Sequence, residues 1–157
     1  VESSTYKGIE PFGTWIIRHR NEFKTIDYNF PLIYSNNKCN DSVNIANTDF
    51  FKDNDSLAYK TPKITTGELN IYKFIGNNII YPNIAKIEGI QGTVYLQFTI
   101  NNEGNIENIE VKKGVDIALD KEAVRVLRSL KFSSSPTVQG QTINLKCITF
   151  PITYSMM

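Results

Sequence analysis

Residues 61 to 157 of this 157-residue chain predict an α+β domain: a three-stranded antiparallel sheet with two helices on one face, in the order helix, strand, strand, helix, strand. Three observations carry the prediction. The run "GTVYLQFTI" alternates apolar and polar residues with period two, the segments on either side of the hairpin it opens carry apolar residues at helical spacing, and the chain closes on a second long β-rich run interrupted by Pro151.

The first helix is expected after residue 67, where Ile71, Phe74, Ile75, Asn78 and Ile79 fall at i, i+3, i+4, i+7 and i+8 and form one mostly apolar stripe. Tyr81-Pro82 ends it, because a residue before proline is pushed out of the α region and the chain leaves extended. Gly89 and Gly92 shape the entrance to the first strand, in which Val94, Leu96, Phe98 and Ile100 share a face. "NNEG" then supplies Asn101, Asn102 and Gly104 for a reversal, and Ile106, Ile109 and Val111 return as the second strand. The spacing from Ile106 to Ile109 suggests a bulge or a late strand start.

The second helix is expected over "GVDIALDKEAVRVLRSLKF". Asp116 suits the N-cap, Asp120 and Glu122 the positive end of the helix dipole, and Arg125, Arg128 and Lys131 its negative end. Leu119, Ala123, Val126, Leu127 and Leu130 form the stripe that must be buried. A loop from Ser133 to Gly140 leads to "TINLKCITFPITYS", read as one long strand with Ile148, Phe150 and Ile152 on one face and Ile143, Leu145 and Cys147 on the other. Pro151 cannot donate a ladder hydrogen bond, which places this strand at a sheet edge with an open side.

Residues 1 to 60 read as an N-terminal extension or linker whose fold the sequence leaves undecided. "GTWIIRHRNEFKTIDYNF" suits either strand or helix, and "SNNKCNDSVNIANTDFFKDNDS" reads as loop because Asn and Asp favour turns. The aromatic residues argue against full disorder, and either a linker or an addition packed onto the sheet would fit.

With 17 Lys+Arg against 16 Asp+Glu, the net charge of +1 provides no global field for nucleic acid or an anionic membrane. No window approaches the length of apolar chain a membrane span requires, and the start at Val1 lacks a basic segment followed by an apolar one. The chain also lacks an initiator Met, so a processed or truncated product is expected. Cys39 and Cys147 match no metal spacing; a disulfide, which would suit an oxidising compartment, and two separate thiols both remain open.

Reactive constellations are scarce. His19 lies between Arg18 and Arg20 with no positioned partner signalled, so solvent exposure explains it best. Gly89-x-x-Gly92 precedes a strand rather than a helix and lacks a Walker lysine, so it is backbone geometry rather than a phosphate loop. Neither a catalytic group, a cofactor nor a metal site is expected, and an enzyme is the least favoured reading.

Many weaker features recur in one order. Gly67, Phe74, Asn78, Tyr81 and Pro82 are followed by Ala85, Gly89-Ile90, Gly92-x-Val94, Phe98, Ile100, Gly104 and Ile106, then by Val111, Gly114, Leu119-Asp120-x-Glu122-Ala123, Arg125-Val126, Leu130, Gly140 and Pro151-Ile152. In this order, residues 61 to about 155 resemble the C-terminal domain of TonB-family energy transducers, in the form common in Bacteroidetes. Two departures stand out: Phe132-Ser133-Ser134 is followed by a displaced Pro136, and Asn78-Ile79-Ile80-Tyr81-Pro82 replaces the Gln-Pro-x-Tyr-Pro of proteobacterial members.

The resemblance implies a TonB C-terminal-like fold and a periplasmic domain, anchored in the inner membrane by a segment upstream of Val1. It implies binding of the Ton box, a short peptide of outer-membrane TonB-dependent receptors, and coupling to the proton gradient through an ExbB/ExbD-like complex. Binding would proceed by β-augmentation, in which a peptide adds a strand to the sheet edge. Asn78, Tyr81, Pro82, Leu145, Lys146, Cys147, Ile148 and Phe150 are the expected receptor-peptide contacts. The same edge would allow a homodimer. A periplasmic cell-envelope interaction or scaffolding module of the same fold, without energy coupling, is the alternative reading.

Overall fold

The structure, a computed structural model, describes residues 3–7, 10–35 and 59–156. Its C-terminal half contains the expected sheet. Strands β5 (Gly92–Ile100), β6 (Ile106–Lys113) and β9 (Leu145–Tyr154) are antiparallel in the order β6-β5-β9, so the alternating run forms the central strand. Val94, Leu96, Phe98 and Ile100 are buried on the helical face, as the period-two pattern requires. The reversal into β6 is built by Asn101, whose Oδ1 accepts hydrogen bonds from the Glu103 and Asn105 amides, both 2.9 Å. Gly104 adopts φ +84°, and a Cβ there would stand 2.7 Å from the Ser134 carbonyl oxygen.

A bulge does interrupt β6. Between the Gln97–Glu110 and Thr99–Glu107 pairs the register shifts, and Asn108 takes φ +56° to absorb the extra residue. A second device of this kind reorders β9. Phe98 pairs with Ile148 and Ile100 with Leu145, so Lys146 and Cys147 together occupy the position opposite Thr99, with Cys147 at φ +61°. The bulge places Leu145 on the same buried face as Ile148, Phe150, Ile152 and Tyr154. The expectation that Leu145 and Cys147 share a face opposite Ile148 is thereby corrected: strict alternation does not survive an inserted residue.

Helix α1 (Ile71–Asn78) is capped by Asn70, whose side chain accepts from the Lys73 amide at 3.0 Å, and buries Ile71, Phe74 and Ile75. The chain runs extended from Ile79 to Pro82 but then re-enters a short helix, α2 (Asn83–Ile87), in addition to the two helices the sequence predicts. Pro82 fixes φ at −59°, a value compatible with initiating a helix, and Ala85 inserts fully into the core. Helix α3 (Ile117–Arg128) starts where expected, with the Asp116 side chain accepting from the Ala118 amide at 3.0 Å.

The larger difference lies in the N-terminal residues, where strands β1 (Ser3–Lys7), β2 (Glu10–His19) and β3 (Glu22–Asp27) form an antiparallel meander. Its second turn places Arg20 and Asn21 at φ +52° and +66°, the paired positive values of a two-residue hairpin turn. Trp15, Ile17, Ile26, Tyr28 and Phe30 join the main core, and β2 packs against α3. Helix α3 is thus sandwiched: one face meets the β5–β6 side of the sheet, the other meets the meander, and every residue from Ala118 to Val124 is buried. The meander covers the helix, whereas the sequence offered only a linker or an addition to the sheet.

Residues 33–35 continue to the edge of the C-terminal sheet. The Val111 amide donates to the Ile33 carbonyl at 2.7 Å and the Ser35 amide to the Val111 carbonyl at 2.9 Å, a parallel bridge on the outer side of β6. A third small sheet joins β4 (Tyr59–Lys60), β7 (Thr137–Val138) and β8 (Gln141–Thr142), so the expected loop through Gly140 contains a tight hairpin, turning at Gln139 and Gly140.

Candidate peptide-binding site

The residues expected to contact a peptide fall into two groups. Asn78, Tyr81 and Pro82 lie at the exit of α1. The Asn78 side chain donates from Nδ2 to the Phe74 carbonyl at 2.8 Å, and its own carbonyl accepts from Arg125 Nη2 at 3.0 Å. The Tyr81 hydroxyl donates to the Ile90 carbonyl, its ring meets Tyr154 edge-on at 5.3 Å, and Pro82 is buried. This turn is held rigidly against the C-terminal end of β9.

Leu145, Lys146, Cys147, Ile148 and Phe150 belong to the N-terminal half of β9. At about 3.4 Å per residue, Leu145 lies roughly 30 Å along the strand from Tyr154, so Tyr81 and Leu145 mark opposite ends of the strand rather than one pocket. Leu145, Ile148 and Phe150 direct their side chains into the core, where Phe150 packs against Tyr72 with ring centroids 4.7 Å apart. Lys146 is exposed, and Cys147 is half-buried and disulfide-bonded; Cys39 lies outside the described residues.

The exit of α1 is tied to the rest of the molecule by a buried carboxylate. Glu122, fully buried, accepts from Tyr28 Oη at 2.8 Å and Arg125 Nε at 2.9 Å through Oε1, and from the Ile80 amide at 2.7 Å and Arg125 Nη2 at 2.5 Å through Oε2. Burial works to lower the Arg125 pKa, but the hydrogen bond and charge of Glu122 outweigh it and hold the guanidinium above its ordinary value. Asp120 accepts from Tyr34 Oη at 2.7 Å and the Val115 amide at 2.9 Å, and burial raises its pKa despite both bonds. Lys121, also fully buried, donates to the Phe30 carbonyl at 2.5 Å and lies over the rings of Phe12 and Phe30 at 4.4 and 4.5 Å. Burial lowers its pKa, with Glu10 at 3.6 Å acting in the opposite sense.

Asp120 and Glu122 are therefore more than dipole partners of an exposed helix end. Three consecutive charged residues on a helix spread over about 200° of arc at about 100° per residue, so they cannot share one solvent face. That signal was present in the sequence, but their partners Tyr28, Tyr34 and Phe30 lie some ninety positions away, beyond any local pattern. His19 also departs from expectation: it is half-buried, and its Nε2 is enclosed without a hydrogen-bond partner among the described residues. Burial first, then the charges of Lys24, Arg20, Lys86 and Arg125, hold its pKa below the ordinary value.

Among the described residues no group of three His, Cys, Asp or Glu side chains is placed to hold a metal ion, and no helix is long and apolar enough to cross a membrane. The arrangement instead offers a sheet with β9 on its outer side, a rigid Tyr81-Pro82 turn at one end of that strand and a disulfide-bonded bulge at the other.

Comparison with known proteins agrees with this architecture. Residues 77–156, from the end of α1 to the end of β9, match the family model described as Gram-negative bacterial TonB protein C-terminal. Protein TonB of Helicobacter pylori strain J99 and that of strain 26695 are each 33% identical to this chain over 90 residues, which is 56% of this chain and 30% of the relative. The matched residues thus cover less than a third of the length of these relatives. No solved structure matches it. A central alternating strand, two flanking antiparallel partners and a family match over the whole of that sheet lead to one conclusion: the chain belongs to the TonB C-terminal family.

Proposed function

We propose that this TonB-type periplasmic domain binds the Ton box of outer-membrane TonB-dependent receptors by adding the peptide as a strand to β9, and that the full-length protein couples inner-membrane proton motive force to substrate import through an ExbB/ExbD-like complex. The family is one of non-enzymatic energy transducers for transport, which supports the reading. The observation that carries it is the position of β9: an outer strand of the β6-β5-β9 sheet, while the opposite outer strand is bridged at Val111 by the chain's own residues 33–35.

The chemistry of the edge supports strand addition. Pro151 has no amide hydrogen, and a proline in a sheet is tolerated where its nitrogen faces away from the ladder. Thr149 and Thr153, two positions to either side, direct their amides outward with it. The close approach of Thr93 Oγ1 and Thr153 Oγ1, 2.9 Å, is the geometry of a pair that exchanges no backbone hydrogen bonds across β5 and β9. Main-chain groups would supply the affinity, and Tyr81-Pro82 would border the peptide at the Tyr154 end.

Titration of the isotope-labelled chain with Ton-box peptides from the same organism tests this. Chemical-shift changes are expected along residues 143–154, concentrated at the Thr149 and Thr153 amides. A saturable interaction that leaves those amides unmoved would place the contact elsewhere.

A further inference from the structure

A cleft of 510 Å³ opens between the β2–β3 hairpin, the Tyr81 turn and the end of β9. That volume is within the range that holds a small ligand or a few side chains. Its charged lining is of one sign: Arg18 and Arg20 from the hairpin and Lys86 from α2, with no carboxylate among the lining residues. None of the three cations is ion-paired among the described residues; Lys86 rests 5.9 Å from the centre of the Tyr81 ring. His19 lies among them with its Nε2 enclosed and lacking a hydrogen-bond partner, a cost that a ligand oxygen would offset. In a chain whose net charge is only +1, this is a local concentration of positive charge with no carboxylate lining it.

We infer that this cleft receives an acidic segment of the bound peptide, carboxylate side chains that flank the strand added to β9. The inference rests on the proposed strand addition: Thr153, Tyr154 and Ser155, the end of β9, line the same cleft, so a peptide paired with the strand leaves its edge beside Arg18 and Arg20. Charge complementarity selects the occupant, because a carboxylate satisfies both the unpaired guanidinium groups and the imidazole. Arg18, His19 and Arg20 lie outside residues 77–156, so this preference belongs to the meander and not to the matched family region.

The groups that face His19 are Lys24 and Arg20 on the hairpin, Lys86 on α2 and Arg125 on α3, with Glu22 its cross-strand partner. An anion placed among these cations would raise the imidazole pKa. The test uses the full chain and four probes: a Ton-box peptide extended by three Asp or by three Asn residues, the uncoupled blocked tri-Asp peptide, and inorganic phosphate. Affinity and the His19 pKa are read by NMR. The Asp extension is expected to bind about fivefold more tightly than the Asn extension at low salt, to raise the His19 pKa, and to lose its advantage in Arg18→Gln/Arg20→Gln. Both substitutions are at surface positions of the hairpin, and the single Arg20→Gln variant provides a second reading should the double variant be poorly folded.

Equal affinity of the Asp and Asn extensions for the wild-type chain would overturn the inference, while shifts at Thr149 and Thr153 with both would leave strand addition standing. Conversely, tri-Asp raising the His19 pKa while no extended peptide moves those two amides would keep the cleft as an acidic-peptide site and sink strand addition. Phosphate raising the His19 pKa at lower concentration than tri-Asp would reassign the cleft to a phosphate-bearing ligand and overturn the acidic-peptide assignment.

Discussion

Both oxygens of Glu122 are committed to partners from three parts of the chain: Tyr28 after the meander, Ile80 at the exit of α1, and Arg125 on its own helix. Removing such a carboxylate leaves the Arg125 guanidinium without its counter-charge and the buried Ile80 amide without its acceptor. Glu122→Ala is expected to cost about 3–5 kcal/mol in urea unfolding, and Tyr28→Phe about 1–2 kcal/mol, with less than additive loss in the double variant because the two share one bond. His19 makes a separate, pH-dependent contribution. Its folded pKa lies below the ordinary value near 6.5, so its contribution to stability is complete above that value and is lost as pH falls through the folded pKa. Thermal unfolding of the wild-type chain should weaken from pH 7.5 to pH 5 more than that of His19→Gln; parallel profiles would show that the imidazole is not held neutral by its surroundings.

Among elements, β9 combines three local rules. Its alternation builds the core, the bulge at Lys146 and Cys147 resets that alternation, and Pro151 marks the side from which no ladder bond is drawn. A proline at an outward-facing position should therefore leave the β5–β9 ladder intact while removing a donor from a docking strand. Thr153→Pro is expected to retain the wild-type fold by circular dichroism and to lose at least tenfold in affinity for a Ton-box peptide, since one main-chain hydrogen bond and the local strand geometry go together. A folded Thr153→Pro chain that binds as well as wild type would remove the C-terminal half of β9 from the interface. Helix α3 shows the complementary case, an element whose charged residues Asp120, Lys121 and Glu122 are as deeply buried as its apolar side because a second layer covers them.

At the scale of the molecule, the meander turns a two-layer domain into three layers. Trp15, Ile17, Ile26, Tyr28 and Phe30 are part of one continuous core with the family-matched region, and Phe30 also receives Lys121. Deleting residues 1–35 would uncover that core, strip Glu122 and Asp120 of their tyrosine partners and release the β6 edge at Val111. The truncated chain is expected to melt on the order of 10 °C lower by calorimetry, the change that a loss of about 3 kcal/mol produces in a domain of this size. An unchanged melting temperature would show the meander to be dispensable for the stability of the remainder.

The sequence by itself determined the central features of the family-matched domain. Period-two alternation in "GTVYLQFTI", the Asn-Asn-Glu-Gly reversal, the Asp116 cap and the α3 stripe are local signals, each set by contacts a few residues apart, and each reads the same in the folded chain. The five residues of helix α2 carry too little periodicity to be legible in the sequence, and the inserted residue of the β9 bulge is invisible until the partner strand is known. Only the tertiary structure decided what covers α3, why Asp120, Lys121 and Glu122 can be buried, and where Arg18, His19 and Arg20 meet the end of β9. Those are pairings between distant positions, satisfied by geometry that no local pattern encodes.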